Sequence, residues 1–267
     1  KLQPYTEANF NIVSAVFGEY PYKQYSVIQG GDGGMEYPMA TLVLGRGNLE
    51  GKIGLIAHEG MHMWYYGVLG MNEARYPWMD EGFTSYGEDL VMDSLFPKVE
   101  KRSKTLMKNY ARWSSSTDDF EPLTTHADHY HTNRGYGIGA YWRGNAFLIQ
   151  LGAVVGEEAL AEGLLAFYDQ WKFKHPNPQR FMKVMEEVSG MELSWFLQHF
   201  IGTTNTVDYA INDVIENKRS TTLRLERVGE FPMPVEVAVV SGDEVTYYHI
   251  PLSLTLTSKP FEQGETL

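Results

Sequence analysis

His58-Glu59-Gly60-Met61-His62 is the stretch on which the reading of this chain turns. It lies inside a helical pattern running from about residue 48 to 69, with an apolar stripe of Ile53, Ala57, Met61, Trp64 and Val68. Two histidines four apart share one helix face, stacked about one turn apart. Their ring nitrogens can then reach a single ion at the roughly 2.0–2.1 Å that Zn²⁺ prefers. Glu59 projects about 100° round the helix from His58, beside such an ion rather than on it. A general base for a metal-activated water belongs there. The blander alternative is a pair of half-buried histidines on an amphipathic helix.

A third ligand is needed, and Glu81 stands downstream, with eighteen residues between it and His62, in Trp78-Met79-Asp80-Glu81-Gly82-Phe83. It falls in the first turn of a second predicted helix, which starts behind Pro77 and runs to about residue 95. Two antiparallel helices with a short connection can return that turn to the histidines. A lone glutamate there could equally serve the helix dipole. Two imidazoles and one carboxylate would hold one Zn²⁺ and leave a position open, the catalytic rather than the structural arrangement. Glu88, seven residues further on, shares the face of Glu81; it either orients a ligand histidine from behind or is a solvated surface acid.

Composition narrows the field. The 267 residues are 43% hydrophobic and 21% charged, a globular composition. Twenty-two basic against thirty-four acidic residues give a formal charge of −12, with no basic run. No nucleic-acid partner is expected, and cationic partners are favoured. With no cysteine, disulfides, cysteine zinc knuckles, iron–sulfur clusters and thiol nucleophiles are excluded. No apolar run approaches the ~18 residues of a membrane span. Lys1 at the start and the strand-like close suggest a piece of something longer, with a lean towards an exported enzyme and the compartment otherwise open.

Here the residues carry a resemblance. His58-Glu59-Gly60-Met61-His62-Met63-Trp64, followed at that spacing by Glu81-Gly82-Phe83, resembles the aminopeptidase N family of gluzincin metallopeptidases. Gly33-Gly34-Met35-Glu36 is similar to that family's Gly-x-Met-Glu-Asn signature, and Tyr141-Trp142-Arg143-Gly144 to its Tyr-x-Lys-Gly element. The resemblance spans about residues 5 to 215. It implies that Glu36 receives the α-ammonium group of a peptide with a free amino terminus, that Gly33 and Gly34 let the substrate approach the backbone, and that Tyr141 stabilises the oxyanion. From the residues alone, Glu36 is an edge-strand charge and Tyr141 continues a core stripe.

Tyr37, Asp80 and Arg143 depart from the family's Asn, Asn and Lys, which touches specificity more than catalysis. The family's amino-terminal β domain and its large carboxy-terminal helical domain are not in this sequence, so flanking domains are expected partners. Thr125-His126-Ala127-Asp128-His129-Tyr130-His131 has no regular ligand spacing and suits the wall of a substrate cleft as well as a second metal.

The expected fold is α+β: a thermolysin-like, two-lobed catalytic domain over 1–218, followed by a partial β-sandwich segment over 219–267. A sheet lobe ends near residue 45, the zinc helices form the floor, and a helical lobe follows. In detail, a helix is expected over 7–17, strands over 25–28 and 35–44 (the latter an edge strand because of Pro38), and helices over 179–188, 193–200 and 207–215. Three period-two strands follow residue 219. The expected function is a zinc-dependent aminopeptidase. A thermolysin-type endopeptidase would instead cut acetylated peptides, and a non-catalytic peptide-binding scaffold would hold no metal with an open position.

Overall fold

A computed structural model of the chain describes residues 2–31, 33–114, 119–218 and 220–255. The protein is α+β and divides into two compact units, Lys1–Thr204 and Asn205–Leu267. Among the described residues no helix is long and apolar enough to cross a membrane.

The first unit opens with α1 (Gln3–Phe17), whose Asn9, Val13 and Phe17 are buried. Pro4 sits in its first turn, where a missing N–H costs nothing, so the helix begins four residues before the expected start. A three-stranded sheet follows, made of β1 (Ser26–Gly30), β2 (Gly34–Tyr37) and β3 (Ala40–Leu44), in the order β1-β3-β2. β1 runs parallel to β3 and β2 antiparallel to it. The single strand expected over 35–44 is therefore a hairpin. Pro38 belongs to its turn and Met39 takes φ +56°, so the proline ends one strand instead of weakening one long strand. Glu36 still lies on an edge, because among the described residues β2 pairs only with β3.

The zinc-motif helix α2 (Leu49–Met61) is capped by Asn48, whose side chain accepts from Gly51 N at 2.8 Å. The apolar stripe predicts an unbroken helix to residue 69, but α2 stops at Met61. A π-helical segment, Met63–Val68, takes over, and Tyr65 within it has φ −121° and ψ 91°. Periodicity registers which face is apolar and is blind to a change in hydrogen-bond pattern that keeps the face buried. Trp64 stays buried across the break and donates from Nε1 to Gly18 O at 2.8 Å.

α3 (Pro77–Leu95) carries Glu81. After it come α4 (Arg102–Ser114), a short 3₁₀ turn (Ala127–His129), α5 (Asn133–Tyr136) and a π-helical segment (Gly137–Arg143) that runs directly into α6 (Gly144–Val155). α7 (Glu157–Trp171), α8 (Pro178–Ser189) and α9 (Ser194–Gly202) complete the unit. A shared core of Trp78, Phe83, Phe147, Phe167, Phe181, Phe196 and Phe200 lies behind α3 and α6, each ring no more than 1% exposed. Side chains of that size contribute about 1.5–3 kcal/mol each when fully buried, which anchors the helices that carry the site. A second cluster, Val43, Ile53, Ile56 and Met92, ties β3 to α2 and α3.

α3 and α6 cross at two glycines. A Cβ on Gly82 would run into the Cα of Gly144, and one on Gly144 would meet the Gly82 Cα and the Trp78 carbonyl. Only residues without a Cβ permit this backbone approach, which brings the Tyr141 segment against the turn carrying Glu81.

Among its described residues the second unit contains two hairpins, each a two-stranded antiparallel sheet. β4 (Tyr209–Glu216) pairs with β5 (Thr221–Arg227), and β6 (Val235–Ser241) pairs with β7 (Glu244–Ile250). A helical turn, α10 (Leu252–Thr255), follows. The Tyr209 hydroxyl accepts from Met233 N at 2.8 Å and lies 2.9 Å from Met233 O. The helix predicted over 207–215 is instead strand β4. Tyr209, Ile211, Val214 and Ile215 are aromatic or β-branched, and pairing with β5 overrides a helix-like spacing over so short a run. Strand structure thus begins before the domain boundary expected near 219. Arg219 itself and residues 256–267 of the predicted β segment lie outside the described residues.

Candidate active site

α2 presents His58 and His62 on one face, with ring centroids 5.1 Å apart. The amino-terminal end of α3 returns Glu81 to them, just past its first turn. His58 Nε2 lies 3.1 Å and His62 Nε2 3.3 Å from the same oxygen, Glu81 Oε2. All three ligand atoms lie within 4.8 Å of one another. Ligand atoms around a tetrahedral ion at about 2.0–2.1 Å stand roughly 3.3 Å apart, so these residues fit zinc. Burial works against ionised Glu81, but hydrogen bonds from the two imidazoles hold its carboxyl down at about 2.

Each histidine is gripped from behind. His58 Nδ1 lies 3.1 Å from Glu88 Oε2, so of the two readings of Glu88 the geometry favours an orienting partner. His62 Nδ1 lies 2.7 Å from Tyr65 O and 2.9 Å from Asp80 Oδ1. Thr84 Oγ1 donates to the same Tyr65 carbonyl at 3.2 Å. Such contacts fix which ring nitrogen faces the ion. From the sequence, Asp80 is a departure from a family asparagine and nothing more. Its place one residue before the ligand, about 100° round the same helix, was the signal that it meets the same ring from another side.

Glu59 is 5% exposed and its Oε2 has no hydrogen-bond partner among the described residues. Burial raises its carboxyl to about 7, against the pull of His58 and His62. The carboxylate lies against the edge strand: a Cβ on Gly34 would run into Glu59 Oε1 and Leu55 Cδ1. Gly34 is thus required by the chain's own Glu59. Gly33 is not, since a Cβ there meets nothing within 4 Å and the residue is exposed. The structure brings no close contact to the Gly33 named in the sequence reading.

Tyr141 stacks on His58 with ring centroids 5.6 Å apart, and its hydroxyl donates to Glu81 Oε1 at 2.6 Å. Burial, and then the Glu81 charge, push its ionisation far above the ordinary phenol range. Tyr141 is therefore a hydroxyl donor beside the ligand cluster and not a core residue. Glu36 is 9% exposed, with an oxygen within 4.8 Å of both a Glu59 oxygen and a His62 nitrogen.

These residues border two cavities. The smaller, about 330 Å³, is lined by Glu36, Glu59, Glu73, Asp80, Glu81 and Tyr136 among others, with no lysine or arginine. The larger, about 900 Å³, opens between α2, α3 and α4 past Asn48, Leu55, Glu88, Met92, Arg102 and Trp142. His58, Glu59 and Tyr141 face both. The stretch His126–His131 forms no three-ligand cluster among the described residues. Ala127 lines the smaller cavity, and His131 Nδ1 lies 2.8 Å from Glu121 Oε2.

The α+β domain thus carries a histidine–histidine–glutamate cluster that fits a metal ion, at the meeting of two cavities. Residues 14–200 match the peptidase family M1 domain, and the chain belongs to that family. Aminopeptidase N of Streptomyces lividans is 26% identical over 203 residues, covering 69% of this chain and 24% of that protein. Aminopeptidase N of Lactococcus lactis is 25% identical over 152 residues, covering 55% and 18% respectively. The chain thus matches between about a fifth and a quarter of these relatives' lengths. The M1 zinc metallopeptidase of Deinococcus radiodurans shares the fold with a TM-score of 0.61 and 20% identity, over 74% of this chain and 43% of that one. Legionella pneumophila aminopeptidase A gives 0.63 and 15% over 94% and 32%.

Proposed function

We propose that the protein is a zinc-dependent aminopeptidase that removes the first residue of peptides bearing a free amino terminus. His58, His62 and Glu81 hold one zinc ion. Bound there, the metal supplies Lewis acidity, polarising the scissile carbonyl and making water a nucleophile at neutral pH. Glu36, on the edge strand, receives the substrate's ammonium group by a charge-assisted hydrogen bond while the peptide lies along β2. Glu59 Oε2 accepts the proton of the attacking water and returns it to the leaving nitrogen. The Tyr141 hydroxyl turns from Glu81 to donate to the oxyanion, an interaction that strengthens only as charge develops.

The observation that carries this reading is the buried, unpartnered Oε2 of Glu59 beside a three-ligand cluster. A buried carboxylate oxygen without a donor is costly unless something in the working site engages it. The test is release of an amino acid from an aminoacyl-anilide by the full-length protein. Turnover should vanish with a chelator, return with zinc, and fall about 10²–10⁴-fold in Glu59→Gln. Chelator-resistant turnover would overturn the proposal. Cleavage of an acetylated peptide at a comparable rate would replace it with an endopeptidase.

A further inference from the structure

The smaller cavity contains more acid than the proposed chemistry uses. Glu73 lies on the turn Asn72–Tyr76, before α3. That turn is closed by Tyr76 N donating to Asn72 O at 2.8 Å, and is tied to the 3₁₀ turn by Ala127 N donating to Ala74 O at 2.8 Å. Oxygens of Glu36, Glu73 and Asp80 lie within 4.8 Å of one another. Asp80 is committed to His62 Nδ1. No hydrogen bond or ion pair engages the carboxylates of Glu36 or Glu73 among the described residues, although Glu36 is 9% exposed and faces the cavity.

We infer that Glu73 is a second receptor for the substrate's α-ammonium group, paired with Glu36, and so helps to restrict the site to free amino termini. This rests on the aminopeptidase reading above and adds to it a residue from the loop between the zinc helices. With the imidazoles and the ion they would hold set against Glu81, and Asp80 set against His62, Glu36 and Glu73 are left to take a counter-charge from the ligand. An ammonium group offers three donors at tetrahedral angles. Two such bonds of about 2.8–2.9 Å end on oxygens roughly 4.6–4.7 Å apart, a span that fits inside the 4.8 Å within which the Glu36 and Glu73 oxygens lie. A second metal ion at this place would need Asp80 as a ligand, and that carboxylate already serves His62.

The experiment uses metal-loaded full-length protein, with leucinamide and N-acetyl-leucinamide as probes and titration calorimetry as readout. Glu73 is exposed, and Glu73→Gln should weaken leucinamide by no more than about tenfold, the loss of one charge-assisted hydrogen bond open to solvent. It should leave N-acetyl-leucinamide, zinc content and melting temperature where they were, and Glu73→Asp should recover part of the loss. KM for a leucyl-anilide should carry the larger share of the loss in kcat/KM. If leucinamide is weakened by Glu36→Gln but not by Glu73→Gln, the inference falls and the aminopeptidase reading stands. If the two probes bind alike in the unmutated protein, both fall. A drop in zinc content in Glu73→Gln would show that the cluster holds metal, and the inference falls alone.

Discussion

Asp80 Oδ1 lies 2.9 Å from His62 Nδ1, while the next residue, Glu81, lies 3.3 Å from the same ring's Nε2. Two consecutive residues of α3 therefore address both nitrogens of one imidazole. Glu88 does the equivalent for His58 from two turns further along.

Those contacts predict a graded loss of metal. Glu88→Ala should weaken zinc about 10–100-fold, since it takes the carboxylate from His58 Nδ1, and Asp80→Ala about 10-fold, since Tyr65 O still holds His62 Nδ1. Asp80→Asn keeps an acceptor for His62 Nδ1 and should lose less. Competition against a zinc-sensitive chelating dye measures each constant; equal affinity in all three variants would show that the rings need no support.

The crossing of α3 and α6 predicts a position where the smallest change is costly. Gly144→Ala puts a methyl group onto the Gly82 Cα and the Trp78 carbonyl. Overpacking of this kind costs about 1–3 kcal/mol, read as a lowered urea midpoint. Because Tyr141 sits one turn before that crossing, kcat should fall as well. Gly156→Ala, where a Cβ meets nothing but φ is +94°, should cost stability without touching kcat.

Asp89 supplies a pH signature away from the metal ligands. It accepts from Asn145 Nδ2 at 2.9 Å, but burial raises its carboxyl from 3.8 to about 6. A folded-state value above the unfolded one means that the folded protein binds the proton more tightly. This stabilisation is complete below about pH 4 and is lost as pH rises through about 6. Asp89→Asn keeps an acceptor and carries no charge to bury. It should therefore be the more stable protein at pH 7 by on the order of 1–2 kcal/mol, with the advantage vanishing near pH 4. Thermal melts across that range decide it.

Arg143 replaces the lysine of the family pattern, and the structure shows what a guanidinium achieves there. It is 1% exposed, donates from Nη1 to Glu121 O and from Nη2 to Phe200 O and Thr203 O, both at 3.0 Å, and lies 4.5 Å from the Phe120 ring centre. Arg143→Lys should cost about 2–3 kcal/mol, because a single ammonium cannot reach three carbonyls at those angles. Arg143→Ala should cost more. An unchanged melting temperature in Arg143→Lys would refute this account.

Much of the site was legible because its chemistry follows helical spacing. His58, His62 and Glu81 need only a four-residue step and a returning helix, and Glu88 lies two turns beyond Glu81 on the same face. What escaped depends on backbone events. The break after Met61 keeps Trp64 and Val68 buried, so the apolar stripe conceals it. The hairpin at Pro38 looked like one strand because Met39 and Ala40 extend the apolar run. Strand β4 was misread because eight residues satisfy either period, and only its pairing with β5 decides. Glu73 sits on a turn with no periodic signature, and only the fold brings it beside Glu36.

The break in α2 also has a bearing on how this domain tolerates improvement. In a continuous helix the Tyr65 carbonyl would accept from the amide four residues ahead; here Leu69 N turns to Trp64 O instead, and the Tyr65 oxygen is left for His62 and Thr84. Substitutions that favour regular helix across residues 62–68 are the ones a thermostability screen would select, and they would take that oxygen back. Variants chosen for heat resistance alone should accumulate there at the expense of their grip on the ion.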